Sequence, residues 1–175
     1  HNSGTDRINE AVNSLNLSDD EIIVNVQADE PFIEIDVVEA VINRVKQIKE
    51  NNEDIMITSC YKEISSSLAD DPNHVKVVLD EHSNAIYFSR AKVPYHRDHH
   101  ENATYSGHLG IYGFTKKSLN AFCKLPSSKL ENIEKLEQLR AIDNGHKIAM
   151  VKVVSKSFGI DTQEDLNNAL KIFGK

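Results

Sequence analysis

The stretch that most constrains this chain is residues 21–27, Glu-Ile-Ile-Val-Asn-Val-Gln. It is β-branched, almost continuously apolar and of strand length, as expected of a strand covered on both faces. It stops at Ala28-Asp29-Glu30-Pro31. Asp36–Lys49 then carries Val37, Val38, Val41, Ile42, Val45 and Ile48 at helical spacing. Ile55–Tyr61 reads as a second strand. Strand, helix, strand over this distance predicts a βαβ unit and so an α/β fold.

The remaining segments fit that class. Thr5 is placed to cap a helix over Asp6–Leu15. Val75–Leu79 and Ala85–Ser89 flank Asp80-Glu81-His82-Ser83-Asn84, a hairpin-like turn. Lys92–Ser106 is polar and His-rich, and His108–Phe114 returns as a strand. Leu130–Ile142 reads as one amphipathic helix, with Leu130, Ile133, Leu136, Leu139 and Ile142 on one side and Gly145 as its stop. Lys147–Val153 is a strand. Thr162 caps a last helix, with Asp165 at its third position. The pattern predicts a mixed sheet with a central antiparallel insert. With 175 residues and no linker, a single domain is expected.

Charge narrows the partners. Lys plus Arg is 20 and Asp plus Glu is 27, a net charge of −7. A general nucleic-acid binder needs a basic face, so that class is disfavoured; a nucleotide substrate in a local cationic pocket is not. No apolar run approaches the roughly 18–20 residues of a membrane helix, and residues 1–20 lack a hydrophobic stretch. A cytoplasmic setting with no membrane partner is expected. Cys60 and Cys123 have no CxxC partner, which excludes a zinc ribbon and leaves two reduced core thiols as the expectation. The first residue is His1, not Met, which raises the expectation of a fragment of a longer polypeptide.

Three places could carry chemistry. Asp29 lies just past a strand end, where ligands gather in open α/β sheets. A carboxylate there suits Mg²⁺, although Asp, Glu and Pro also make ordinary turns. Asp161 precedes a helix cap, where it either favours the helix N-terminus or supplies a second metal carboxylate. Arg90 follows a strand and suits bidentate pairing with a carboxylate or phosphate, or a surface ion pair. His108 and Tyr112 are four apart on a strand and so face one side, as ligands or as core-edge residues. The tract His96-Arg97-Asp98-His99-His100 has metal-like spacing, but a polar loop explains it equally well.

Taken together these segments resemble the CMP-Kdo synthetase family, the 3-deoxy-manno-octulosonate (Kdo) cytidylyltransferases of lipopolysaccharide synthesis. The matching strings are HNSGTDR (1–7), VNVQADEP (24–31), VKVVLD (75–80), IYFSRAKVPY (86–95), HLGIYGF (108–114), LENIEKLEQLRAIDNGHKI (130–148) and GIDTQEDL (159–166). They follow the family's order over nearly the whole chain. The resemblance implies a nucleotide-diphospho-sugar transferase-like mixed sheet with flanking helices, an antiparallel dimerisation insert, and homodimers. It implies that the anomeric hydroxyl of Kdo attacks the α-phosphate of CTP, releasing pyrophosphate and forming CMP-Kdo. Asp29 and Asp161 take the places of the family's Mg²⁺-holding, catalytic aspartates. Arg90, His108, Tyr112, Glu137 and Gln138 take the places of its sugar-pocket residues, with Arg90 a natural partner for the sugar carboxylate. Gln27 is expected beside the substrate, and Ser3 and Gly4 near the nucleotide. Ala28 stands where many relatives have Gly.

One departure is large. The family begins with a strand and a basic, glycine-containing loop resembling PARYxSxRLPGKPL, which cradles the triphosphate, and no such string occurs here. The 175 residues are therefore expected to be an N-terminally incomplete portion of the domain, inactive alone, with part of the sheet uncovered. Two other readings stand beside the first. One is a related CMP-sialate-type cytidylyltransferase. The other is a non-catalytic module that dimerises or binds the sugar.

Overall fold

The structure, a computed structural model, describes residues 4–28, 30–98, 103–160 and 163–173. Along the chain run α1 (Gly4–Ser14), β1 (Ile22–Val26), α2 (Ile35–Asn51), β2 (Ile57–Ser65), α3 (Ser66–Asp70), β3 (Lys76–Leu79) and β4 (Ala85–Ser89). Then come β5 (Thr104–Thr115), α4 (Lys116–Cys123), α5 (Lys129–Glu134), α6 (Leu139–Asp143), β6 (Ile148–Lys152) and α7 (Gln163–Phe173). The fold is α/β with one mixed sheet and flanking helices. Strands run β4-β3-β5-β2-β6, and β1 also pairs with β5. Among the described residues only β2 and β6 pair in parallel; the other ladders are antiparallel.

β5 organises the molecule. Its 12 residues are long enough to carry β2 on one edge and both β1 and β3 on the other. The expected βαβ unit is thus split: β1 and β2 run in the same direction, but β5 lies between them. On the shared edge β1 covers Ile111–Thr115, and β3 meets the strand at Gly107, with the His108 N–H donating to Val75 O (2.8 Å). Between those two partners the edge opens over residues 108–110. No strand pairs with the outer edge of β1 among the described residues.

Two cores sandwich the sheet. On one face Val37 and Val41 of α2 pack on Cys60, Leu109 and Ile111. Gly113 makes this possible, because a Cβ there would stand 2.7 Å from Val41 Cγ1 and from Val45 Cγ2. On the other face Val12, Phe88, Phe114, Leu119, Phe122, Leu139 and Ile148 form the larger cluster. The β3–β4 hairpin curls over this second face. Its tip reaches β6, where Asn84 bridges Ala149 and the Met150 N–H donates to Ser83 O (2.8 Å). The apolar residues of the hairpin are therefore mostly core: Val77 and Phe88 are buried, and Ile86 is exposed.

Several local expectations change. Thr5 lies inside α1 rather than capping it, and its hydroxyl is spent on Glu137. The single helix expected over 130–142 is two, α5 and α6. Lys135 between them takes a left-handed conformation (φ 55°), which stops α5 and leaves Ile133 exposed. Capping boxes at Ser128/Glu131 and Thr115/Ser118 start α5 and α4. β5 begins at Thr104, inside the stretch read as polar loop. Gly145 (φ 81°) follows α6 as expected. The Thr162 cap lies outside the described residues.

Candidate active site

The opening in the edge of β5 is the mouth of a cleft. Glu30, Lys62, His74, His108, Gly110, Tyr112, Leu136, Gln138 and Phe158 are among its lining residues. Alternation along β5 sends His108, Gly110 and Tyr112 to this face and Gly107, Leu109 and Ile111 to the α2 face. The His108 and Tyr112 rings stand 5.5 Å apart, and Phe88 packs edge-on against His108 (4.9 Å). Lacking a Cβ, Gly110 lets the Gln27 side chain lie across it: a Cβ would be 3.3 Å from Gln27 Cγ. Gly4, at the start of α1, comes next to the Gln27 amide.

The break between α5 and α6 gives Glu137 and Gln138 their direction. Tyr112 donates to Gln138 Oε1 (3.2 Å), and Thr5 donates to Glu137 Oε2 (2.7 Å). Arg140 holds this turn through two bonds to Glu131, Nε to Oε2 (2.9 Å) and Nη2 to Oε1 (2.5 Å). Three polar atoms here are buried without a hydrogen-bond partner among the described residues: Asn25 Nδ2, Glu137 Oε1 and Gln138 Nε2. Arg140 Nη2 is 3.6 Å from Glu137 Oε1. Asn25 is the register partner of Tyr112 and so shares its face.

Five of the expected residues, Gln27, His108, Tyr112, Glu137 and Gln138, thus come together around one face, with Gly4 at its edge. Arg90 does not line the cleft. Its guanidinium donates to two backbone carbonyls, Nε to Glu134 O (2.9 Å) and Nη1 to Pro72 O (3.1 Å), and its N–H goes to Glu134 Oε2 (2.9 Å). Buried Lys76 holds the Arg90 carbonyl (2.7 Å). Ser3, Asp29 and Asp161 lie outside the described residues. Among the described residues no cluster of three or more His, Cys, Asp or Glu is placed to hold a metal ion. Of the His96–His100 tract, His96 packs on Tyr105 (5.0 Å), and His99 and His100 lie outside the described residues.

The segments next to the two aspartates are joined directly. Ser157 donates to Glu30 Oε2 (2.7 Å), and Glu30 Oε1 accepts from the Gly110 N–H (3.3 Å). Ser155 and the Lys156 N–H both donate to Glu34 (2.6 and 2.7 Å). Lys62 Nζ donates to Ser157 O. The irregular stretch after β6 is therefore clamped to the turn after β1 by two carboxylates and to β2 by the Lys62 ammonium. Burial pushes the Lys62 pKa down, and Glu30 and Glu34 partly offset it. Burial raises Glu34, but its hydrogen bonds with Ser155 and Lys156 outweigh this and leave the carboxyl below its usual value. Burial also takes the His108 imidazole down to about 3, so the ring is neutral near pH 7. Cys60 is pushed up to about 12 by burial and then by Glu30, and Cys123 to about 11 mainly by burial, so both are inert thiols.

Glu30, Lys62, Ser157 and Asn25 were not singled out from sequence. Asn25 alone had a signal, a polar residue inside an apolar strand. The others are ordinary turn, strand and loop residues until the chain brings them together.

The cytidylyltransferase family profile matches residues 1–148. The chain is 54% identical over 176 residues to the 3-deoxy-manno-octulosonate cytidylyltransferase of Wolinella succinogenes, covering 99% of this chain and 72% of that protein. It is 43% identical over 164 residues to an 8-amino-3,8-dideoxy-manno-octulosonate cytidylyltransferase of a Shewanella species, covering 94% and 66%. Among solved structures it matches a CMP:2-keto-3-deoxy-manno-octonic acid synthetase complexed with CTP. That match has a TM-score of 0.84 and 33% identity, and covers 98% of this chain and 68% of that one.

Proposed function

Since the chain belongs to the cytidylyltransferase family, we propose that it works in the transfer of CMP from CTP to Kdo, releasing pyrophosphate. The observation that carries the sugar side of this reading is the pair of amide nitrogens near Tyr112, Asn25 Nδ2 and Gln138 Nε2, that have no hydrogen-bond partner among the described residues. An unsatisfied buried polar group costs about 1–3 kcal/mol. A face that keeps two of them near His108 and Tyr112 suits a polyhydroxylated ligand, whose hydroxyls both donate and accept.

His108, Tyr112, Glu137, Gln138 and Gln27 bind and orient the sugar on this reading. Its anomeric hydroxyl attacks the α-phosphate of CTP, and its proton leaves as pyrophosphate departs. Ser3 and Gly4 are assigned to the nucleotide by resemblance. Arg90 is assigned to the sugar carboxylate by resemblance; its guanidinium spends two of its five N–H donors on the Glu134 and Pro72 carbonyls. Glu30 and Glu34 tie the turn after β1 to the stretch after β6, the segments next in sequence to Asp29 and Asp161. Two aspartate carboxylates are a hard-oxygen donor set, a type that fits Mg²⁺. Bound there, the ion would supply charge neutralisation for the triphosphate, on which phosphoryl-type transfer depends.

The setting proposed is the cytoplasm, as a homodimer, in lipopolysaccharide synthesis. No described helix is long and apolar enough to cross a membrane. The test is CMP-sugar formation by the full-length protein with CTP and Mg²⁺, offered Kdo, its 8-amino analogue and sialic acid in parallel. Kdo is expected to give the highest kcat/KM. Asp29→Asn and Asp161→Asn are each expected to abolish turnover, by more than about 100-fold, while the protein stays folded. Wild-type rates in either variant would remove the two-carboxylate assignment.

A further inference from the structure

β5 carries two extra residues, Gly110 and Ile111, opposite the step from Ser59 to Cys60 on β2: Ser59 pairs with Tyr112 and Cys60 with Leu109. The bulge brings three groups together. Ser59, fully buried, has its Oγ 2.8 Å from Ile111 O and 2.9 Å from His108 Nε2. A carbonyl only accepts, so the single hydroxyl proton of Ser59 belongs on Ile111 O. The Oγ lone pair then faces His108 Nε2, and that contact needs a proton from the ring. Only one tautomer gives a proton to both contacts, the one protonated at Nε2. Among the described residues Nδ1 takes no hydrogen bond, and His108 lines the cleft.

We propose that Ser59, through this bulge, is a positioning residue that locks His108 in the Nε2–H tautomer and so makes Nδ1 a fixed acceptor for a sugar hydroxyl. The proposal rests on the reading of the cleft as the sugar site. A neutral ring that can only accept on its cleft side takes a hydroxyl and turns away a carboxylate. Specificity is then built two residues deep: the residue that meets the ligand is His108, and the one that decides what it asks for is Ser59.

The tautomer is read in the free full-length protein by long-range ¹H–¹⁵N correlation of the imidazoles at pH 7. His108 is expected with Nε2 protonated and Nδ1 bare, and saturating Kdo is expected to move the Nδ1 resonance. Ser59→Ala is expected to let the second tautomer appear and to raise KM for Kdo about tenfold, the loss of one hydrogen bond. KM for CTP and kcat are expected to stay within about twofold. Ser59→Thr, which keeps the hydroxyl, is expected to restore both. A wild-type ring protonated at Nδ1, or at both nitrogens, would overturn the proposal without any variant. So would Ser59→Ala with tautomer and KM unmoved, or an Nδ1 resonance blind to Kdo. Absent turnover with the ring behaving as expected would count instead against the proposed reaction.

Discussion

The two faces of β5 are built from alternate residues of one strand and are opposite in character. On the α2 side Leu109 and Ile111 are buried, and Gly113 brings the helix within van der Waals contact. On the cleft side His108, Gly110 and Tyr112 are half-buried and surrounded by polar atoms, some without partners. The first face resembles any protein core, where small changes in volume are felt. The second leaves hydrogen bonds unmade that folding alone would have filled. Over residues 108–112 of β5 close packing falls to the α2 side and the proposed recognition to the other, a few ångströms apart, although the larger apolar cluster resumes on the cleft side at Phe114.

The largest expected effect crosses that division. His108 has its pKa lowered by burial from 6.5 to about 3. Between those values the unfolded chain holds a proton that the folded chain refuses, so folding weakens as pH falls through this window. The folding constant is expected to drop about tenfold per pH unit, roughly a hundredfold from pH 6 to pH 4. Urea unfolding of wild type and His108→Gln at both pH values measures this. Equal slopes in the two proteins would remove His108 as the cause.

The next effect belongs wholly to the apolar face. Gly113→Val drives a branched side chain into Val41 and Val45, and overpacking of this kind costs about 1–3 kcal/mol. A thermal midpoint lower by roughly 3–10 °C is expected, with KM for Kdo unchanged in the folded protein. A changed KM would mean that the two faces communicate.

The clamp between the turn after β1 and the segment after β6 is intermediate. Glu30→Gln weakens charge-assisted bonds to Ser157 and Gly110, at about 1 kcal/mol or somewhat more. It is expected to lower the midpoint by a few degrees and to reduce kcat more than it alters KM for Kdo. Unchanged kcat would separate the clamp from catalysis.

The smallest effect sharpens the polar face. Tyr112→Phe removes the donor to Gln138 Oε1. A several-fold rise in KM for Kdo is expected, with a midpoint within about 2 °C of wild type. A large stability loss with normal KM would show that this face is structural after all.

Much of this was legible in residue order. The apolar run of β1, the spacing of α2 and the turn at Asp80–Asn84 each reflect local propensity, which a linear pattern reports. The choice of His108, Tyr112, Glu137 and Gln138 as candidates followed from strings shared with a family. The split of β1 from β2 was not legible, because strand order depends on which edges meet. The division of 130–142 into α5 and α6 was also hidden. Its periodicity was helical throughout, and the left-handed turn at Lys135 sits where Glu134 is drawn to Ser89 and Arg90 across the fold.

By itself the sequence determined the α/β class, the family and the short list of candidate polar residues, since each depends on near neighbours in the chain or on matching motifs. Only the tertiary structure decided which of those residues share a face, that Arg90 is engaged by backbone carbonyls, and that Glu30 and Ser157 clamp two distant segments. It alone also set Ser59 behind His108. These are contacts between residues 14 to 127 positions apart, and they are specified by how the sheet curls and where β5 bulges, which no local pattern carries.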